Sequence, residues 1–394
     1  MSIDLLQVKG VKCSSIASGI KKNNILDLSL ISLSKGSSTA AVFTRNIFCA
    51  APVIVSKNHV NSNIEALLIN SGNANAGTGE RGLEDCYNTC VYLAEELEIK
   101  PEQVLPFSTG VIGEFLPLEA FKSNVNILVS SLSKNGMSKV ANGILTTDLV
   151  EKSYSTSINI GGKTVTLSGV AKGSGMIRPD MATMLSFIVS DISASKEELQ
   201  DCLTHAVNQS FNRITVDGDT STNDACSLSA TNQSGVQLSQ CKGEFQKALN
   251  LVSKELAQMI VKDGEGATKF VEIKIEGLES SEDCLEVAYT IAHSPLVKTA
   301  LFASDANWGR ILAAVGRAKV NGVSIENIDI YINGLQIIVS GEKSSTYTEE
   351  LGSAEMQKSE IIIRVNLGTT SLSESVWTTD LSYDYVKINA EYRS

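Results

Sequence analysis

The 394-residue chain predicts a mixed α/β fold, and three observations carry that reading. Compact apolar runs of strand length recur along it, Ile64–Asn70 and Leu185–Val189 being the clearest. Segments of helical period stand between them, notably Leu83–Ile99 and Lys242–Val261. From Phe270 onward strand-like stretches dominate, at 270–276, 285–291, 327–332, 334–340 and 359–365, with one helix over Trp308–Val320. Composition changes little along the chain, so a division into 1–276 and 277–394, with 191–276 a candidate sub-module, rests on this change of pattern alone.

Residues 1–60 alternate short strands with turns, Ala40–Asn46 being the best defined. The Ile64–Asn70 strand runs into a loop of turn formers, Ser71 to Gly82, before the Leu83–Ile99 helix. A second glycine-containing loop, Pro106 to Gly113, precedes helical patterns at Leu116–Leu132 and Met137–Leu145, which end at Thr146-Thr147-Asp148. Ser155–Ile160 and Lys163–Val170 form a hairpin around Gly161-Gly162. Ser195-x-x-Glu198 is a capping box that opens a helix reaching about Phe211.

Charge and composition exclude several functions. The net charge of −11 argues against nucleic acid and anionic membranes as partners, since both call for basic surfaces. No apolar stretch approaches the roughly 18 residues of a membrane span, and the first residues carry no secretory pattern, so a cytoplasmic location is expected. Eight scattered cysteines include no Cys-x-x-Cys pair; Cys86 and Cys90 lie four apart on a helix, as core residues do. The three histidines, His59, His205 and His293, show neither metal-ligand nor triad spacing. No metal is expected, and a nucleophile here needs a base other than imidazole.

Two glycine- and acid-rich stretches resemble ligand motifs and fail on detail. Gly77-x-Gly79-x-x-Gly82 has the spacing of a dinucleotide fingerprint, but six residues separate Asn70 from Gly77, where the fingerprint needs a tight turn. A dinucleotide-binding oxidoreductase is therefore a remote alternative. Asp217 to Asp224 has the acidic spacing of a calcium loop but carries Thr222 where glycine is required and Leu228 where glutamate is. The stretch with most chemical promise is Lys172 to Ser190. Gly173, Gly175 and Pro179 make a turn that delivers Thr183 to the head of the apolar run Leu185–Val189. That arrangement suits a rigid, exposed nucleophile, and it also suits an ordinary loop ending in a strand.

The chain resembles the glutamate N-acetyltransferases, also called ornithine acetyltransferases, of arginine biosynthesis. The matching motifs are Asn70 to Ala76, Ser108 to Gly113, Thr146-Thr147-Asp148, Lys172 to Met176, Met181 to Leu185, Val216 to Asp224, Asp263 to Lys269, Asn307 to Arg310 and Ile388 to Ser394. The resemblance implies a layered α/β sandwich around a self-cleavage site, completed by a smaller C-terminal α/β domain. It implies a cut between Ala182 and Thr183, after which the new N-terminal Thr183 is the nucleophile. A freed α-amine has a reference pKa near 7.7–8.0, so it can serve as the base for its own hydroxyl. Thr183 then takes acetyl from N-acetylornithine and passes it to glutamate in a ping-pong cycle.

By the same resemblance the Thr109 hydroxyl and the Gly110 N–H form the oxyanion hole. Thr147 (or Thr146, should the motif align one residue earlier), Lys172, Glu265, Asn389 and Ser394 are implied to line the substrate site. No cofactor is implied, acetyl-CoA being a further candidate donor substrate. The two cleaved chains are expected to remain together as a heterotetramer of two α and two β chains. A related self-cleaving amidase or aminopeptidase would make the same cut and hand the acyl group to water.

Overall fold

The computed structural model describes residues 5–178 and 184–391, in two units. The first comprises the chain to Asn212 and Asp219–Ile260; the second comprises Arg213–Gly218 and the chain from Val261.

In the first unit the strands are β1 (Val11–Ile16), β2 (Leu28–Leu33), β3 (Ser38–Phe43), β4 (Ala66–Asn73) and β5 (Val104–Val111). They are followed by β6 (Lys152–Ile160), β7 (Lys163–Lys172), β8 (Leu185–Ser190) and β9 (Ala225–Ala230). Helices α1 (Ala51–His59) and α2 (Gly79–Leu97) flank β4. Three short helices, α3 (Leu118–Lys122), α4 (Val125–Ser130) and α5 (Met137–Gly143), follow β5; α6 (Lys196–Asn208) and α7 (Lys242–Lys262) flank β9. One sheet has the order β1-β2-β4-β5 and the other β3-β9-β8-β7-β6.

Period-two burial stacks these sheets. On β4, Leu67 and Ile69 face the second sheet, while Ala66 and Leu68 face the helices. Between the sheets, Phe107 of β5 meets Phe187 of β8 edge-on at 4.9 Å, a contact worth about 0.5–1.5 kcal/mol beyond its buried area. On the outer face of the first sheet, Cys86, Cys90 and Leu93 of α2 pack with Val55 of α1. On the outer face of the second, α6 lies on β3 and β9, and Gly169 of β7 leaves room for Leu256 and Val252 of α7. Two sheets between two helical layers is the sandwich the resemblance implied.

The second unit has a six-stranded sheet built from β10 (Phe270–Glu276), β11 (Asp329–Ile332), β12 (Leu335–Val339), β13 (Glu342–Lys343), β14 (Glu360–Asn366) and β15 (Ser373–Thr379). Its order is β13-β12-β11-β14-β10-β15. Val271, Ile273 and Ile275 of β10 are buried, while Glu272, Lys274 and Glu276 alternate with them, so one face of the sheet carries the core. That core includes residues of α8 (Ser281–Ala292), α9 (Pro295–Phe302), α10 (Trp308–Gly316) and α11 (Glu349–Met356); α12 (Tyr383–Ala390) closes the described chain.

The structure corrects five details of the sequence reading. The 285–291 stretch is helix, not strand: Cys284, Val287, Ala288 and Ile291 form one buried face, and the Ser280 hydroxyl caps the helix by accepting from the Asp283 N–H. Leu116–Leu132 is two short helices broken at Ser123-Asn124. Pro106 to Val111 lies within a strand, because it pairs in parallel with β4. The division between units falls at 260/261 rather than near 277, since β10 is hydrogen-bonded between β14 and β15. Residues 213–218 join the second unit through the Ile214–Trp377 bridge and the Arg213–Glu374 ion pair at 2.6 Å. The stretch 191–276 is not a separate module: it is divided between the two units, and its strand β9 pairs with both β3 and β8. Among the described residues no helix is long and apolar enough to cross a membrane.

Candidate active site

The site is built at the ends of strands. β4 and β5 run parallel in register, Ser71 opposite Thr109 and Gly72 opposite Gly110, and the ladder bulges at Gly72/Asn73. In sheets of this kind the carboxyl ends of parallel strands are where ligands bind. Gly110 has φ of 135°, and a Cβ on it would lie 2.3 Å from the carbonyl carbon of Gly72. Only glycine lets the two main chains approach so closely. Asn223 then ties the corner together, its Nδ2 donating to the Ala74 carbonyl at 2.6 Å and the Ser108 carbonyl at 2.9 Å.

Thr109 is buried, and its hydroxyl oxygen accepts from the Lys172 Nζ at 3.2 Å. An ammonium holding that oxygen leaves the hydroxyl proton to be donated elsewhere. Lys172 ends β7 in register with Leu185, the first residue of β8. Just ahead of Leu185, the Met184 N–H donates to Asp224 Oδ1 at 2.8 Å, and the Met184 carbonyl accepts from Ala225.

Behind Lys172 stands Asp148. Its Oδ1 accepts from the Lys152 Nζ at 2.6 Å and the Gly173 N–H at 2.7 Å, and its Oδ2 lies 4.0 Å from the Lys172 Nζ. The Asp148 and Lys152 side chains are wholly buried. Burial alone would raise the Asp148 carboxyl, but the Lys172 and Lys152 charges and the hydrogen bonds hold it well below the usual carboxylate range. Thr147, beside it, shares a 2.7 Å hydrogen bond with Ser174. The structure thus gathers Thr109, Gly110, Thr147 and Lys172 in one polar cluster within the first unit.

In the second unit, Asn389 of α12 donates to Glu265 Oε2 at 2.9 Å. The pair is set by a tight packing: Gly266 has φ of 65°, and a Cβ there would come within 2.4 Å of the Tyr385 nitrogen. Ser382 donates to the Gly266 carbonyl at 2.6 Å, and Asp380 accepts from the Thr268 and Lys269 N–H groups. Ala182, Thr183 and Ser394 lie outside the described residues.

The sequence reading gave no role to Asp148, Lys152, Asn223 or Asp224. Asp148, Asn223 and Asp224 fall inside quoted motifs, and that was the signal available. Lys152 carries no local signal at all. Within the first unit His59 bonds the Val104 carbonyl at the opposite end of β5 from Thr109 and His205 is exposed on α6; His293 meets Thr215 within the second unit. Cys86 and Cys90 are buried, and burial pushes the Cys90 thiol up to about 12, as befits packing rather than chemistry.

A layered α/β sandwich carrying a buried lysine, a hydroxyl and a glycine-only main chain at its strand ends defines an α/β enzyme with a dry, cationic site. Residues 12–394 match the ArgJ family. The chain is 49% identical over 392 residues to the "Arginine biosynthesis bifunctional protein ArgJ" of Pseudomonas syringae pv. tomato, covering 98% of this chain and 97% of that protein. It is 48% identical over 396 residues to the protein of the same name from Methylococcus capsulatus, covering 100% and 97%. The crystal structure of the arginine biosynthesis bifunctional protein argJ from Bacillus halodurans superposes with a TM-score of 0.51 at 40% identity, covering 53% of this chain and all of that one. This chain belongs to the ArgJ family.

Proposed function

We propose that this protein is an acetyltransferase of arginine biosynthesis that moves an acetyl group from N-acetylornithine to glutamate, after cutting itself between Ala182 and Thr183. The observation that carries the reading is the buried Lys172–Thr109 hydrogen bond, set in register with the strand that begins two residues after Thr183. It supplies an aimed hydroxyl donor in a dry place, which is what an acyl-transfer site requires.

The chemistry follows from these groups. Thr183 Oγ attacks the acetyl carbonyl carbon while its own α-amine takes the hydroxyl proton. The Thr109 hydroxyl and the Gly110 N–H donate to the oxyanion. The proton passes to the departing amine, ornithine leaves, and an acetyl-threonine ester remains. The glutamate amine attacks that ester, releasing N-acetylglutamate and restoring the hydroxyl. By their motifs Thr147, Lys172 and Ser394 are assigned to recognition of the amino-acid substrate, and Glu265 with Asn389 supplies the charge that complements the cationic side chain ornithine has and glutamate lacks. The bifunctional designation of the relatives favours acetyl-CoA as a second donor to the same threonine, and no resident cofactor is needed.

A cut at Ala182–Thr183 leaves pieces of 182 and 212 residues. The Bacillus halodurans chain, matched over its whole length by 53% of this one, has the proportion expected of one such piece. The pieces stay together because β8 and β9, from the second, are hydrogen-bonded between β3 and β7, from the first. We assign two copies of each to the assembled enzyme and place it in the cytoplasm.

Two measurements test the reading. Thr183→Ala should give one band on a denaturing gel and no transfer, whereas the unmodified chain gives two; a cut in the variant would place the cleavage elsewhere. Incubation with N-acetylornithine should yield N-acetylglutamate only when glutamate is present. Release of acetate in its place would identify an amidase.

A further inference from the structure

Lys21 takes no part in the steps above, yet its side chain touches both walls of the first-unit cluster. Its Nζ donates to the Leu145 carbonyl at 2.7 Å and the Leu26 carbonyl at 3.2 Å. Leu145 is the residue before Thr146-Thr147-Asp148. The lysine stem packs on Gly72, where a Cβ would come within 2.9 Å of Lys21 Cγ, and Gly72 is the residue Gly110 presses against. The backbone of Lys21 is anchored in turn: its N–H donates at 2.8 Å to Asp27, which is fully buried and also accepts from the Ser18 N–H and hydroxyl.

The charges around Lys21 are Asp27 from its own loop, Asp148 from the turn after Leu145 and Lys172 from β7, with Lys152 paired to Asp148. Three ammonium groups thus stand against two carboxylates. The surplus positive charge lies where an oxyanion forms and a substrate carboxylate binds, and partial burial makes it effective.

We propose that Lys21 is a positioning residue for acyl transfer, a charged strut that holds the Gly72–Gly110 contact and the Leu145–Asp148 turn together and adds positive potential beside Lys172. The proposal rests on the assignment of Thr109 and Gly110 as oxyanion donors. Burial pulls the Lys21 amine down to about 8, with Asp27 opposing, Lys172 lowering it further and Asp148 opposing. Below that pH the amine is charged; above it the amine is neutral and still donates to Leu145, so the hydrogen bond survives and only the charge is lost.

The test is Lys21→Met, which keeps the stem on Gly72 and removes the charge. kcat/KM for transfer from N-acetylornithine to glutamate would be followed from about pH 6 to about pH 9.5 in both proteins. At neutral pH the variant should be about tenfold slower, and the deficit should shrink to about twofold at the alkaline end as the unmodified lysine loses its own charge. A ratio constant with pH, or equal rates at neutral pH, overturns the proposal, since a purely structural lysine gives the first and an idle one the second. If Lys21→Met fails to cut itself or melts without cooperativity, Lys21→Arg replaces it. Its rate relative to the unmodified protein should climb above about pH 8, and a flat ratio overturns the proposal. An unmodified enzyme that passes no acetyl to glutamate would instead defeat the functional assignment, and the Lys21 role with it.

Discussion

The two units carry their candidate site residues in opposite ways. In the first, Thr109 is 8% exposed, Lys172 4%, and the Asp148–Lys152 pair is fully enclosed at the ends of strands. In the second, Glu265 is half-buried on a loop, and Asn389 is exposed on a helix that buries none of its residues. Charges removed from water must be paired and hydrogen-bonded, so the first cluster is rigid before any substrate arrives. Charges left in water cost little and are screened, so the second pair can meet a cationic group without being organised for a transition state. In the proposed function the enclosed cluster supplies both the oxyanion donors Thr109 and Gly110 and the substrate contacts Lys172 and Thr147, and the open pair is assigned to recognition alone.

The contrast breaks most readily at Asp148. Asp148→Asn leaves the Lys152 ammonium buried without its counter-charge and should cost about 3–5 kcal/mol of stability, read as a lowered urea midpoint. The same carboxylate predicts an acid sensitivity. Its folded pKa lies below the free value near 3.9, so its stabilisation is complete above that pH and is lost progressively as the pH falls below it. A midpoint that does not move in the variant would mean that the enclosed cluster is not under electrostatic tension. Thr109→Val should lower kcat by about 10²–10³ with little change in KM, as the loss of one oxyanion donor does. A change confined to KM would move Thr109 from the reaction to binding. The smallest effects belong to the open pair: Glu265→Gln and Asn389→Ala should leave the melting temperature within about 1 °C and raise KM for N-acetylornithine by roughly three- to tenfold. A large stability loss in either would show that the open pair is structural.

Much of this was legible in advance because it is local. The strand at Leu185, the hairpin turning at Gly161-Gly162 and the Ser195–Glu198 capping box each state their conformation within a few residues, and the structure shows all three. The 285–291 stretch misled because a short buried apolar run fits a strand or a helix equally until its neighbours are known. α12 left no amphipathic pattern to find, since none of its residues is buried. Thr109-Gly110 looked like a loop because its strand character comes from pairing with β4, some forty residues earlier.

Local order alone, then, determined the nature of most of the elements, the shortage of usable histidine and the motifs by which the family was recognised. Tertiary structure decided which of those motifs meet. Lys172 finds Thr109 across 63 residues and Lys21 finds Leu145 across 124. No pattern along the chain encodes such contacts, because side chains so far apart become neighbours only when the sheets have paired and stacked, and only there does leaving water make their charges count.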